Sequence, residues 1–156
     1  MSESTGKPSF VYVTFIAATP EKVWHALTDP KTTARYLSGF HVATDMAVGG
    51  ASHFKRGEQV LNRGVVLACD PPHLLSVTWL PEQGELSSEK PSRVTFEIQV
   101  AGAGQSKLTI THDDFQPGSK AIGQVGEGWT RVASSLKSFV ETGTGMELLG
   151  ELKGAA

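Results

Sequence analysis

The sequence predicts an α+β protein in which one antiparallel sheet carries helices on a single face. Three observations lead to this fold class. A first strand is followed by two short helical segments, about six stretches with strand-like patterns run to Asp113, and helical periodicity then continues to Thr142. The predicted order is therefore strand, two helices, a run of strands and one long helix, and no repeat or linker divides it.

Residue composition predicts the first strand, and residues that start and end helices predict the two elements after it. Phe10 to Ile16 read FVYVTFI, a mixture of aromatic and β-branched residues that is typical of a strand. The segment TPEKVWHALTDP predicts a helix with Thr19 as its N-cap, Pro20 at its first position and Pro30 beyond its end. A second short helical piece, KTTARYL, follows and leads to Gly39.

The middle of the chain shows the alternation of half-buried strands. In RVTFEIQV, Val94, Phe96 and Ile98 face one way and the polar residues between them face the other. AGAGQ supplies a hairpin turn from this strand to KLTITH. GVVLACD and LLSVTWL flank the turn PPH, and GGASHFKRGEQVLNRG predicts two more strands joined near Gly57. The segments together predict an antiparallel sheet with one face turned to solvent.

The last helix has an apolar face that is long enough to cross the whole sheet. At helical spacing this face contains Ile122, Val125, Trp129, Val132 and Leu136. A helix over residues 119–142 would be about 35 Å long. Gly123, Gly126 and Gly128 weaken its first half, since each costs about 1 kcal/mol relative to alanine. The unbroken apolar spacing favours one continuous helix that bends beside a cavity over a helix that begins near Gly128.

Composition and charge exclude several classes of function. The formal charge of −2 provides no positive field for phosphates, so nucleic acid is not an expected partner. Cys69 is the only cysteine, so no internal disulfide is possible, and the first residues lack the pattern of a secretion signal. No apolar run reaches about 18 residues, so no integral membrane association is expected. These features predict a cytoplasmic protein.

The domain prediction places one folded unit between two polar ends. Residues 10–143 form the single domain, residues 1–9 a disordered leader, and residues 144–156 a flexible C-terminal tail. Within the tail, Met146 to Leu152 read as a short amphipathic segment, and its docking onto the domain is the alternative interpretation.

Six short motifs, in order along the chain, resemble one known family. They are ATPEKVWHALTDP, VGG, CDPPHLLSVTW, VTFEI, LTITHDDF and GWTRVASSLKSFVE. Through these motifs, residues 10–141 resemble the START-like superfamily, which is also called SRPBCC. Within it they resemble the branch named after the activator of the heat-shock protein ATPase (AHSA-type). The resemblance implies the helix-grip fold, in which a curved antiparallel sheet of six or seven strands wraps the C-terminal helix and encloses a hydrophobic cavity.

The sequence contains no motif typical of a metal site, a cofactor site or a hydrolase nucleophile. The five histidines lie on different predicted elements, without the paired spacings of zinc sites, so neither a metal nor a cofactor is expected. No G-x-S-x-G elbow is present. His112 shares a strand face with Leu108 and Ile110, so its ring is predicted to point inwards, either as an acid or base near Asp113 or as a structurally bonded histidine.

Three functions follow as hypotheses. The first is binding of a small apolar, amphipathic or aromatic molecule, such as a lipid, in the cavity implied by the family. The second is a stress-related co-chaperone or regulatory partner, which the family name suggests. The third is a START-like enzyme with His112 as acid or base, although no complete catalytic set is evident. The predicted cavity residues are Trp24, Tyr36, Phe54, Trp79, Phe96, His112, Ile122, Val125, Trp129 and Val132.

Overall fold

The computed structural model describes residues 8–148, and their elements follow the predicted order. The seven strands form one antiparallel sheet in the order β1-β7-β6-β5-β4-β3-β2. This curved sheet with its long helix is the helix-grip fold, so the predicted fold class is confirmed. The elements are β1 (Phe10–Ile16), α1 (Pro20–Thr28), α2 (Pro30–Tyr36), β2 (His41–Thr44), β3 (Ala51–Arg56), β4 (Gln59–Asp70), β5 (Leu74–Pro81), a 3-10 turn (Glu85–Ser88), β6 (Ser92–Val100), β7 (Ser106–Asp113) and α3 (Ile122–Thr142).

Side-chain caps fix the two short helices. The Thr19 hydroxyl accepts a hydrogen bond from the backbone N–H of Lys22 at 3.3 Å, as predicted for the start of α1. Asp29 ends α1 and begins α2, because its N–H donates to the His25 carbonyl while its carboxylate accepts from the Thr32 N–H at 2.9 Å. One residue therefore joins the two helices without a linker.

The strand boundaries differ from the prediction at Gly64. The sequence interpretation ended one strand and began the next at this glycine, whereas the structure has a single strand, β4, running through it. A Cβ at this position would lie 1.9 Å from the Thr78 carbonyl oxygen of β5. Glycine is thus required for the two strands to approach closely, and does not mark a turn. The short strand β2 was not predicted as a separate element.

Helix α3 is continuous across its three glycines, as favoured by the apolar spacing, and it begins at Ile122 rather than at Ser119. Its buried face contains Val125, Ala133 and Leu136. This face packs against the inward-facing residues of the sheet, among them Ile98 and Ile110, which share the main core with Leu136. The predicted face of the helix is therefore the face that the sheet wraps.

Two side chains near the end of α3 hold it to the first strand. The Lys137 ammonium donates to the Phe15 carbonyl at 2.8 Å, and the Glu141 carboxylate accepts from the Ala17 N–H at 2.7 Å. Lys137 and Glu141 also form an ion pair at 2.7 Å, and this bond, followed by the bond from Ala17, lowers the pKa of Glu141. The end of β1 is thereby fixed to the helix.

Residues 144–148 correct part of the tail prediction. Helix α3 ends at Thr142, Gly143 follows in the left-handed conformation, and the chain turns back against α2. The Met146 N–H donates to Ser135 and the Leu148 N–H to Ser38, each at 2.8 Å, and Leu148 is buried in the main core. These residues are packed instead of flexible, in line with the docking alternative. Residues 149–156 and most of the predicted leader lie outside the described residues.

Candidate functional site

A pocket of about 140 Å³ lies between the sheet and helix α3. Strands β2 to β6 form its floor, the junction between α2 and β2 forms one wall, and the middle of α3 covers it. The lining is mainly aliphatic and aromatic, and Phe96 meets the edge of Trp129 with 5.8 Å between ring centroids. An apolar protein cavity of about 150 Å³ holds a benzene molecule, so this pocket is large enough for one aromatic ring.

Seven of the ten residues predicted for the cavity line this pocket. They are Tyr36, Phe54, Trp79, Phe96, Val125, Trp129 and Val132. Strand alternation and the helical stripe indicate the buried face for all of them except Tyr36, which lies on α2.

The other three predicted residues lie outside the pocket lining, which corrects the prediction for them. Trp24 is on α1 and packs against the main core. Ile122 is the first residue of α3, whereas only the stretch from Val125 to Val132 covers the pocket. His112 is on β7, and the pocket floor is formed by β2 to β6.

Sequence reasoning missed the polar part of the lining. Thr44, Ser52 and Asn62 line the pocket from β2, β3 and β4. Ser52 is two residues from Phe54 and therefore on the same strand face, and this spacing was the available signal. Asn62 pairs directly with Phe54 across the β3–β4 register, which only the structure supplies.

His112 lies behind the pocket and is fully bonded. The indole N–H of Trp129 donates to its Nδ1 at 2.9 Å, and its Nε2 lies 2.7 Å from the Ser92 hydroxyl. Because Nδ1 accepts, the neutral ring carries its proton on Nε2 and donates it to Ser92. The Ser92 hydroxyl in turn donates to the Trp79 carbonyl at 3.3 Å. The chain of bonds thus connects α3 with strands β5, β6 and β7.

Aromatic rings surround the same histidine. Phe115 stacks on it with centroids 4.6 Å apart, and Trp79 meets it edge-on at 4.8 Å. Burial lowers the pKa of His112 to about 4, and the charge of Asp113 opposes this only in part. The ring is therefore neutral near pH 7. With both nitrogens engaged, it has no free position for general acid or base chemistry.

The two carboxylates that follow His112 point away from it. Asp113 forms a two-pronged bond with Arg93, with its shorter contact at 2.8 Å, and Asp114 contacts Lys90 at 3.0 Å. Both are partly exposed ion pairs, which contribute little to stability. His112 was expected near these carboxylates at the end of the cavity, and in the structure both carboxylates instead bond to basic side chains.

Tyr36 lines the pocket with its ring but not with a free hydroxyl. Its O–H donates to the Ala26 carbonyl at 2.7 Å, and burial raises its pKa.

Residues 8–148 contain no group of three or more His, Cys, Asp or Glu side chains that could hold a metal ion. Over the same residues, none of the helices has both the length and the apolar character needed to cross a bilayer.

Comparison with known proteins agrees with the architecture. Residues 17–141 match the family described as Activator of Hsp90 ATPase homolog 1-like protein. No curated protein sequence matches the chain significantly.

Three solved structures illustrate the likeness. Protein MLL2253 from Mesorhizobium loti is 26% identical, with a TM-score of 0.70 over 85% of this chain and 96% of that chain. CalU16 from Micromonospora echinospora is 22% identical, with a TM-score of 0.69 over 94% and 82%. PFC0360w from Plasmodium falciparum, described as an HSP90 activator, is 24% identical, with a TM-score of 0.67 over 80% and 89%.

Proposed function

The chain belongs to the family of Activator of Hsp90 ATPase homolog 1-like proteins, and from this premise we propose that it binds a small apolar or amphipathic molecule between the sheet and α3. The observation that supports the proposal is the pocket, which has aromatic walls in Trp79, Phe96 and Trp129. Concave, mainly apolar pockets with a few polar groups are the usual sites for small ligands.

The glycines of α3 suit such a role. Gly128 lines the pocket, and Gly123 and Gly126 precede it on the same helix. A Cβ at Gly123 would meet no neighbouring atom, so packing does not require glycine at that position. A helix weakened at its start provides a wall that opens at low cost, as entry of a ligand requires.

The test is an amide chemical-shift titration with small aromatic molecules. We expect saturable shifts at Trp79, Phe96 and the Val125–Val132 stretch of α3. Val132→Phe fills the pocket and is expected to abolish these shifts, whereas Val11→Phe, on the exposed outer face of β1, is expected to leave them unchanged. A folded wild-type protein without shifts, or unchanged binding in Val132→Phe, would contradict the proposal.

A co-chaperone role is the second candidate, and one surface feature favours it. The outward side chains of β1, Val11, Val13 and Phe15, are all apolar and exposed, and patches of this kind often contact proteins. The family description and the Plasmodium HSP90 activator are consistent with a chaperone as the partner. Absence of binding to the chaperone and of ATPase stimulation would remove this candidate.

An enzymatic role based on His112 has the least support. The ring lies outside the pocket lining, is neutral, and has both nitrogens bonded to protein. A general acid or base needs a nitrogen within reach of the substrate, and this arrangement offers none.

A further inference from the structure

The side-chain amide of Asn62, in the pocket lining, has no protein partner among the described residues. Asn62, on β4, pairs with Phe54 of β3 and with Pro81 of β5, so its neighbours across the sheet are apolar. Its side-chain amide makes no hydrogen bond to any other residue that the structure describes. An amide has two donors and an acceptor, and an apolar setting leaves these groups for water or a ligand.

The hydroxyl groups and the guanidinium of the lining are already engaged. The hydroxyls of Thr44 and Ser52 bond to each other at 2.9 Å. The Thr78 hydroxyl accepts from the Val65 N–H at 2.8 Å, and the Arg63 guanidinium pairs with Glu82 at 2.6 Å.

His53 differs from Asn62 in the direction of its side chain. It is adjacent to Phe54 on β3, so strand alternation directs its ring to the opposite sheet face from Phe54. The Trp79 indole N–H of the lining also has no hydrogen bond among the described residues, but it can only donate. Asn62 is therefore the side chain that offers both donors and an acceptor on the inner face beside the aromatic walls.

We infer that the pocket selects a neutral monocyclic aromatic molecule with one hydrogen-bonding substituent, of which a phenol is the simplest example. This inference rests on the proposed function and specifies its ligand class. The ring lies against Trp79, Phe96 and Trp129, and the substituent bonds to the Asn62 amide. A hydroxyl both donates and accepts, so it matches either orientation of the amide.

Charge and size restrict the ligand further. A carboxylate placed in the pocket would need a cation, and the arginine of the lining is already neutralised by Glu82. A volume of about 140 Å³ accommodates one ring and a short substituent. Neutral, single-ring compounds are therefore favoured over acids of the same size.

Three probes that share a methyl-substituted ring test the inference: p-cresol, toluene and 4-methylbenzoate. In amide chemical-shift titrations of the full chain, we expect p-cresol to bind about fivefold more tightly than toluene, the effect of one net hydrogen bond. We expect 4-methylbenzoate to bind more weakly than either. The comparison isolates the substituent, because the buried ring is the same in all three.

The decisive variant is Asn62→Leu, which removes the amide and keeps a side chain of similar size. We expect it to abolish the preference for p-cresol while the thermal midpoint stays the same or rises, since no protein bond is lost. Thr44→Val, which removes a neighbouring hydroxyl of the lining, is the matched control and should keep the preference. If Asn62→Leu does not fold, Asn62→Ala provides the same comparison.

Each other outcome has a defined meaning. Equal binding of p-cresol and toluene to the wild-type chain, tightest binding of 4-methylbenzoate, or an unchanged preference in Asn62→Leu overturns this inference but leaves the ligand pocket intact. Absence of binding by all three probes overturns the proposed function and this inference with it.

Discussion

His112 contacts residues of several elements through its two nitrogens and its ring. Its two nitrogens join Trp129 of α3 to Ser92 of β6, and its ring contacts Trp79 and Phe115. A charged ring would have two donors, and the Trp129 N–H would then face a donor instead of an acceptor. The state of one proton therefore decides whether the hydrogen bond from Trp129 to His112 can form.

This arrangement predicts a specific dependence of stability on pH. The pKa of His112 is about 4 in the folded protein and 6.5 when unperturbed, so between these values the unfolded chain binds a proton that the folded chain does not. The free energy of unfolding should therefore fall as the pH decreases from about 6.5 to 4, by up to about 3 kcal/mol from this group. Urea unfolding at several pH values measures it.

The matched control for this prediction is His112→Gln. The variant is expected to be less stable at pH 7, because the bond from Trp129 is disturbed, but to lose less stability on acidification than the wild type. Comparing the two chains removes the contribution of carboxylates, which titrate in both. An identical pH slope in both chains would show that His112 is not the group responsible.

The pocket shows which residues can be found from sequence alone. Phe54, Trp79 and Phe96 follow from alternation, and Val125 and Trp129 follow from the helical stripe. Both patterns identify large apolar residues and give no reason to place a polar residue inside.

Asn62 is missed because it is polar and because the sequence does not show which way its side chain points. Its inward direction is set by its pairing with Phe54, and the division of β4 at Gly64 hid the length of the strand. His112 was placed inside correctly, but its strand lies beyond the pocket floor, and strand order is not encoded in any local pattern.

At the scale of elements, α3 begins without a cap of its own. Ala121 occupies the N-cap position and provides no side-chain bond. The carboxylate of Glu89, from the connection between β5 and β6, instead accepts from the Lys120 N–H at 2.9 Å and from the Ser119 hydroxyl at 2.6 Å. Glu89 is 31 positions from Lys120 in the sequence, so no helix-start signal in the sequence could have identified it.

We expect Glu89→Ala to destabilise the protein by about 1 kcal/mol, because the two hydrogen bonds that hold the segment before α3 are lost. Amide hydrogen exchange should accelerate in the glycine-containing first turns of α3, residues 122–128, because these turns have the weakest intrinsic helix preference. Thermal unfolding and exchange mass spectrometry measure the two effects.

Glu85 provides the control for this experiment. It forms an exposed ion pair with Lys120 at 3.2 Å, close to the same helix start, and exposed pairs contribute little. Glu85→Ala should therefore leave both stability and exchange nearly unchanged. Equal effects of the two substitutions would indicate that general charge loss, and not capping by Glu89, stabilises the helix.

At the scale of the whole molecule, the fold class follows from the order of elements, but the extent of the domain does not. The residues after Gly143 have the composition of a loose tail, yet residues 144–148 are packed. Gly145 lies so close to α2 that a Cβ there would be 2.7 Å from the Cβ of Tyr36. Such a contact depends on how helix and sheet are arranged in space, which local sequence patterns do not report.

Removal of the chain after Gly143 should therefore destabilise the protein. Leu148 is 1% exposed in the main core, and loss of a buried leucine costs about 2–5 kcal/mol. Leu148→Ala should reproduce most of this loss, while Met146→Ala, at a partly exposed position, should have a smaller effect. Denaturant unfolding compares the three chains, and unchanged stability on truncation would contradict the assignment of residues 144–148 to the domain.

The attachment of α3 to the end of β1 also affects whether β1 can pair with a strand of another copy of the protein. β1 is an outer strand of an open sheet, and its outward side chains are exposed and apolar, a combination that invites β-type aggregation. Lys137 and Glu141 occupy the carbonyl of Phe15 and the N–H of Ala17, so these groups are not offered to a strand from another copy. The ion pair that holds the helix thereby also blocks this end of the sheet edge against pairing with a further strand.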